Sequence, residues 1–443
     1  MPTLIPYLIF DIAVLATAIA FLFWKGAFWH PLTVYLFFHG YSFTWRTIQL
    51  IDGAVPMYGL LGDVIRPEEF ERAILLADVC LIAFVVGAIF GKQHFWEKAQ
   101  HKITRVKASV RIISVISAIC IPVGVVALIV VKTGVELSST YAESSYFMVL
   151  NMWPISCLLA LLFAKGFRGF TVLPICLYLA MVGLQGYHRF MLILPLMFVA
   201  AIYLQGKGRK WPTMTMVIIG FAVMLIFPRL KYIGRAFEAG DYEAMASLVK
   251  ESFTIVADEK IIMKEDSEQF FDQYAGALSM IDDYDKVYWG STYLAIITLP
   301  IPHEWWSKKP GLADHMHDIS TSGRQYNIEG RIITYIGESY LNFRYFGIVL
   351  IPLAMGFTLT YWCYVATSGP WLCLNRYVYT FAFIAFIQLF RDGLLSLVLF
   401  TMVHNLPLLF IWVAHKVAGR RLLIDDLPSI GSQSGRNLIP SAR

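Results

Sequence analysis

The chain alternates long apolar stretches with short polar breaks. Apolar runs of about 17 to 23 residues recur, the length at which a helix rising 1.5 Å per residue covers about 30 Å of hydrocarbon. They predict spanning helices near residues 4–24, 31–50, 73–90, 112–131, 146–164, 170–184, 190–204, 213–227, 346–365, 377–389 and 394–413. The count is about eleven. The two runs flanking Arg189 are short, so that one broken hairpin is the alternative there. A single interval, 229–331, departs from the rhythm. Gly290, Pro300, Pro302, Pro310 and Gly311 punctuate it, while 270–280 and 292–301 stay apolar enough to lie on a membrane surface. That mixture predicts a folded outer lid of short amphipathic helices. The resulting division is 1–228 with eight spans, 229–331 as the lid, 332–418 with three spans, and 419–443 as a polar, disordered tail.

Composition fixes the class as an all-α polytopic membrane protein. Of the 443 residues 58% are apolar and 15% charged, with a mean hydropathy of +0.61, whereas soluble domains carry about 25% charged residues. A nucleic-acid binder, a disulfide scaffold and an intrinsically disordered chain are excluded. Cys80, Cys120, Cys157, Cys176, Cys363 and Cys373 all fall in or beside apolar runs and read as small buried apolar side chains. Charge is informative by location. No basic residue precedes the first run and Lys25 follows it, which predicts a retained span with its N-terminus outside. Alternate connections are then basic, as in Lys92 to Arg111, Lys165 with Arg168, Lys207 to Lys210, and Arg376. The tail agrees through Lys416, Arg420 and Arg421, and is expected in the cytoplasm. Interval 229–331 holds 11 Lys and Arg against 17 Asp and Glu, net −6, and the rest 25 against 14, net +11. The lid is therefore expected outside.

Ionisable groups at membrane depth are costly, which makes them functional candidates. Under this topology Arg46, Asp78, His188, Arg189, Arg229, Arg331, Glu338, Arg344 and Arg391 gather at the outer ends of spans. An Arg-rich layer suits a phosphate-bearing lipid, because the guanidinium fork gives two parallel hydrogen bonds and stays charged when partly desolvated. Snorkelling to headgroups is the alternative for Arg46 and Arg72. Pairing with Asp392 is the alternative for Arg391. Between Gly330 and Gly347 a helix would place Arg331, Tyr335, Glu338 and Asn342 on one stripe. A carboxylate so placed is suited to taking a proton from an alcohol, and a capped helix end with an Arg331–Glu338 pair is the alternative. Metal readings are weaker. Asp314, His315, His317 and Asp318 with His303 resemble an incidental polar loop, and Asp282, Asp283 and Asp285 a solvated acidic face.

Three phrases carry a family resemblance. They are Tyr288-Trp289-Gly290 followed by Leu299-Pro300-Ile301-Pro302-His303-Glu304-Trp305 and Lys309-Pro310; Gly337-Glu338-Ser339-Tyr340-Leu341-Asn342-Phe343 with Gly347; and the turn Arg391-Asp392-Gly393. With Arg189 opening a span after a glycine-containing turn, the chain resembles the Wzy-type oligosaccharide repeat-unit polymerases, which are related to the O-antigen ligases. His303 stands where the family's phrase has Arg, and Arg344 where Gly is common. The resemblance implies a plan like the C-type glycosyltransferases (GT-C), about eleven helices with one large periplasmic loop, in the bacterial inner membrane. It implies as partners an undecaprenyl-diphosphate-linked donor and acceptor, and leaves open a chain-length regulator. It implies no cofactor or metal. Glu338, Arg189 and Arg391 are the catalytic candidates on this resemblance, with Arg229, Arg331, His188, Arg344, His303, Asn342 and Trp305 binding substrate and diphosphate. Fixed guanidinium groups would stabilise the leaving diphosphate. Trp289, Tyr293, Trp305 and Trp306 would either stack on sugars or anchor the lid at the interface. The rival readings are a lipid-linked glycan flippase, against which the scarcity of mid-span charge beyond Asp11 and His39 speaks, and the ligase branch.

Overall fold

The computed structural model describes residues 1–54, 66–99, 106–132, 150, 152–185, 190–226, 239–254, 267–298, 305–306, 333–398 and 405–418, with single positions between them. In chain order its helices are α1 (Ile5–Lys25), α2 (Pro31–His39), α3 (Trp45–Ile51), α4 (Pro67–His94), α5 (Val110–Lys132), α6 (Trp153–Lys165), α7 (Gly169–Gln185) and α8 (Phe190–Gly206). They continue with α9 (Met214–Ile226), α10 (Tyr242–Thr254), α11 (Ser267–Tyr284), α12 (Ser291–Thr298), α13 (Thr334–Thr367), α14 (Leu374–Asp392), α15 (Leu394–Val398) and α16 (Leu406–Ala418).

Among the described residues four helical runs are long and apolar enough to cross a membrane: Pro2–Lys25, Pro67–Lys98, Val110–Ile129 and Thr334–Thr367. Shorter apolar helices accompany them at Trp153–Lys165, Gly169–Met181, Leu194–Gly206 and Leu406–Ala418. The described residues are thus all-helical, with four helical runs able to cross a membrane by length and composition. Two expected spans are helical but more polar. The stretch 31–50 runs from α2 through a π-helical turn, Gly40–Thr44, into α3, and it buries His39, Ser42, Arg46 and Thr47. Across 377–389, α14 carries Thr380 and Gln388, and Asn375 and Arg376 stand just before that stretch on the same helix.

The chain forms two compact units that interleave in sequence, the first from 1–97, 260–362 and 386–398, the second from 98–259, 363–385 and 399–443. In the first unit α1, α2 and α4 pack on one another, and α4 meets α13 backbone to backbone. A Cβ on Gly87 would lie 2.0 Å from the Leu353 carbonyl oxygen, one on Gly91 2.3 Å from that of Phe357, and one on Gly356 2.1 Å from that of Phe84. Small residues four apart are the means by which apolar helices approach closely where lipid removes the hydrophobic drive to associate. Gly91→Ala is accordingly expected to push α4 off α13. Overpacking of this kind costs about 1–3 kcal/mol, and a lowered midpoint of thermal unfolding in detergent measures it.

Helix α11 departs from the sequence expectation. Its apolar residues Phe271, Tyr274, Ala275 and Leu278 are buried against α3, α4 and the π-turn instead of lying on a membrane surface. Arg46 on α3 and Asp272 on α11 join this contact. Both are fully enclosed, with Nε to Oδ1 at 3.0 Å and Nη2 to Oδ2 at 2.8 Å. Arg46 therefore does not snorkel; a carboxylate from a distant segment meets it inside the fold. An aromatic group completes the unit, with Tyr35 stacked on Phe390 at 4.6 Å and edge-on to Phe84 and Tyr335.

In the second unit α5 and α6 pack along their lengths, so tightly that a Cβ on Gly124 would lie 2.3 Å from the Pro154 ring. Helix α16 lies against both, and His415 on it accepts the Ser109 N–H at 2.7 Å. Phe163 meets Trp371 and Tyr377, and Phe198 meets Phe381.

Candidate functional site

Helix α13 is bent at Arg344, whose φ of 52° and ψ of −137° leave the helical region. The bend is sharp. A Cβ on Gly347 would fall 2.0 Å from the Ser339 carbonyl oxygen, although eight residues of straight helix span about 12 Å. The segment before the bend presents Tyr335, Glu338 and Asn342 on one face, all at 2% exposure or less. Three of the four expected stripe residues are thus together. The fourth, Arg331, lies outside the described residues.

Two other chain segments close on this face. From the first, the Trp289 N–H donates to the Asn342 carbonyl oxygen and the Gly290 N–H to Asn342 Oδ1, each at 3.0 Å. Asn342 Nδ2 donates to Thr292 Oγ1 at 2.6 Å, and the Thr292 hydroxyl donates onward to Glu338 Oε1 at 2.9 Å. From the second, the Leu394 N–H donates to Glu338 Oε2 at 3.1 Å. Gly393 allows that approach, since a Cβ there would lie 2.2 Å from Oε2 and its φ is +97°, a conformation that costs glycine little. Three phrases distant in sequence, around Trp289, Glu338 and Gly393, therefore converge on one carboxylate. Both Glu338 oxygens accept from neutral donors, the Thr292 hydroxyl and the Leu394 N–H.

Arg391 stands in the turn beside this group. Its Nε donates to Asp392 Oδ1 at 2.7 Å, the pairing weighed as its alternative, and its guanidinium lies 5.9 Å from the centre of the Phe270 ring. Burial pushes the Asp392 carboxyl up and the Arg391 contact opposes it. Tyr293 bridges to the same helix through Ser339 Oγ at 3.3 Å. Burial, and then the Glu338 charge, raise its phenol above the ordinary value.

Arg344 is drawn elsewhere. Its Nη1 donates to the Ile281 carbonyl oxygen at 2.8 Å and approaches Asp282 at 3.4 Å. Asp282 also binds Arg72 and accepts from the Tyr340 hydroxyl at 2.5 Å. Two guanidinium groups thereby occupy what the sequence presents as a solvated acidic face. His315 hydrogen-bonds Ser291 at 2.7 Å and stacks on Tyr288 at 3.9 Å. Trp305 is 83% exposed, and Trp289 is likewise outward.

Arg189, His188, Arg229, Arg331 and His303 lie outside the described residues. Thr292, which links Asn342 to Glu338, carries no signal in a stretch of ordinary apolar residues. Asp272 carries one: a lone acidic side chain on the apolar face of an amphipathic helix needs a buried partner. No family model matches this chain, and no curated protein or solved structure matches it.

Proposed function

We propose that this protein polymerises lipid-linked oligosaccharide repeat units into surface polysaccharide, by glycosyl transfer at the periplasmic face of a bacterial inner membrane. The observation that carries the reading is that Tyr288-Trp289-Gly290 bonds to Leu341 and Asn342 of the segment Gly337 to Phe343, whose Glu338 meets Thr292 and the turn Arg391-Asp392-Gly393. These are the phrases by which the chain resembles the Wzy-type polymerases. A second support is the backbone of Arg344, positive in φ where that pattern commonly has Gly. The reading carries with it about eleven spans in a GT-C-like plan, a periplasmic lid from 229–331, and a cytoplasmic tail.

In this reading the acceptor hydroxyl oxygen attacks the anomeric carbon of the donor glycan, and the bond from that carbon to undecaprenyl diphosphate breaks. Glu338 takes the hydroxyl proton and releases it to water. The leaving diphosphate keeps the electron pair, and Arg391 with Arg189, Arg229 and Arg331 offsets its charge without a metal. His188, His303 and Trp305 hold the two substrates, while Asn342 positions Glu338 through Thr292 and Arg344, engaged with Ile281 and Asp282, is withdrawn from that role. The test is complementation: after deletion of the gene, the wild-type chain restores a ladder of lengths on a gel and its absence leaves single repeat units on the lipid.

A second reading, transport of the same lipid-linked glycan, gains from one observation. Asp11, His39 and Asp78 meet inside the fold, giving the chain the buried mid-helix charge that transport uses. The leaflet decides. Repeat units gathering on the outer leaflet of the deletion strain support polymerisation, and units held on the inner leaflet support transport.

A further inference from the structure

Asp11, His39 and Asp78 come from three different helical runs. Asp11 is near the middle of Pro2–Lys25 and Asp78 of Pro67–Lys98, deeper than the span-end position the sequence suggests for Asp78, and His39 ends α2. All three are fully buried. His39 Nε2 lies 2.7 Å from Asp11 Oδ1 and 3.5 Å from Asp78 Oδ1. One ligand atom from each falls within 4.8 Å of the other two.

The polar atoms here outnumber their partners. Both Asp78 oxygens, Asp11 Oδ2 and His39 Nδ1 have no hydrogen-bond partner among the described residues. The buried Thr44 hydroxyl faces Asp11 and is a further oxygen at the same place. A buried carboxylate without partners costs far more than any neutral group. Two ionised carboxylates with a neutral imidazole sum to −2, and protonating His39, which lies against both of them, still leaves −1. A proton would serve one oxygen at a time. A divalent cation neutralises both carboxylates and takes one ligand from each helix.

We propose that Asp11, His39 and Asp78 form a divalent-cation site that ties α1, α2 and α4 together inside the membrane-spanning part of the first unit. One imidazole nitrogen with two carboxylate oxygens is a donor set for a zinc-like first-row ion, at bond lengths of about 2.0–2.2 Å. The imidazole coordinates through Nε2 with its proton on Nδ1. The proposal is independent of the reaction proposed above, since the site clamps helices and touches no substrate.

The experiment uses the full chain in detergent, stripped with EDTA and then given zinc chloride. Retained zinc is counted by elemental mass spectrometry after desalting, and thermal unfolding is followed with and without zinc. The wild-type chain is expected to retain about one zinc ion and to unfold at a higher temperature with it, because a ligand bound only to the folded state stabilises by mass action. Asp78→Asn, which keeps the shape and removes a charge, is expected to retain less than a tenth as much, and His39→Gln likewise. His315→Ala, in the polar cluster outside this site, is expected to retain the full amount. Wild-type protein that retains no zinc, or unfolds at the same temperature with and without it, overturns the proposal. So does zinc retained equally by Asp78→Asn. Should both site variants fail to fold, the wild-type and His315→Ala chains decide: one retained ion in each with a raised unfolding temperature supports the site, and loss of the ion in His315→Ala overturns it.

Discussion

Arg46→Ala is expected to remove about 3–5 kcal/mol of stability, enough to deplete the folded protein, because it strands the Asp272 carboxylate in a dry interior. The pair is enclosed on both sides and bidentate, and the helix that carries Asp272 also buries Phe271 and Tyr274 against Phe43 and Phe70. Truncation removes both charged hydrogen bonds that Arg46 gives to the Asp272 carboxylate. Asp272→Ala is expected to be equally harmful in the opposite sense. The double replacement Arg46→Met with Asp272→Leu is expected to recover most of the loss, since replacing a whole buried pair with apolar residues of similar volume is often neutral or stabilising. Thermal unfolding of the four chains in one detergent measures the cycle. If Arg46→Ala unfolds within about 0.5 kcal/mol of wild type, the ordinary range for surface substitutions, the pair carries no such weight.

Glu338→Gln is expected to abolish the polysaccharide ladder while leaving the protein in the membrane. Loss of a general base removes about 10²–10⁴ in rate, which on a gel reads as single repeat units. Glutamine keeps the length of the side chain. Its amide can present oxygen to the Leu394 N–H and nitrogen to Thr292 Oγ1, so that the hydrogen bonds around the site persist with the Thr292 hydroxyl turned. Membrane abundance separates the chemical effect from misfolding. A full ladder from correctly inserted Glu338→Gln removes Glu338 from the reaction, and the proposed mechanism with it.

The stripe of Tyr335, Glu338 and Asn342 was legible because a helical period can be counted. Its termination at Arg344 was not, since an arginine with positive φ is chosen by contacts to Ile281 and Asp282, which belong to a helix sixty residues earlier. Similarly, Arg391 and Asp392 are neighbours, and their pairing follows from adjacency. That Gly393 rests on Glu338 does not, because nothing local to either residue records the other. Arg46 illustrates the hardest case. An arginine in an apolar run reads as a snorkelling side chain until a carboxylate from α11 appears beside it.

By itself, the amino-acid sequence determined the class of this protein as a helical chain rich in apolar segments, four of which form helices long enough to cross a membrane. Those properties follow from segment length, apolar content and short-range periodicity, which are local. Only the tertiary structure decided which charges became partners. Asp272 with Arg46, Asp282 with Arg72 and Arg344, His39 with Asp11 and Asp78, and Thr292 with Glu338 are long-range pairings. In a low-dielectric interior a charge must find a partner or pay its desolvation in full, and which partner it finds depends on how the helices pack.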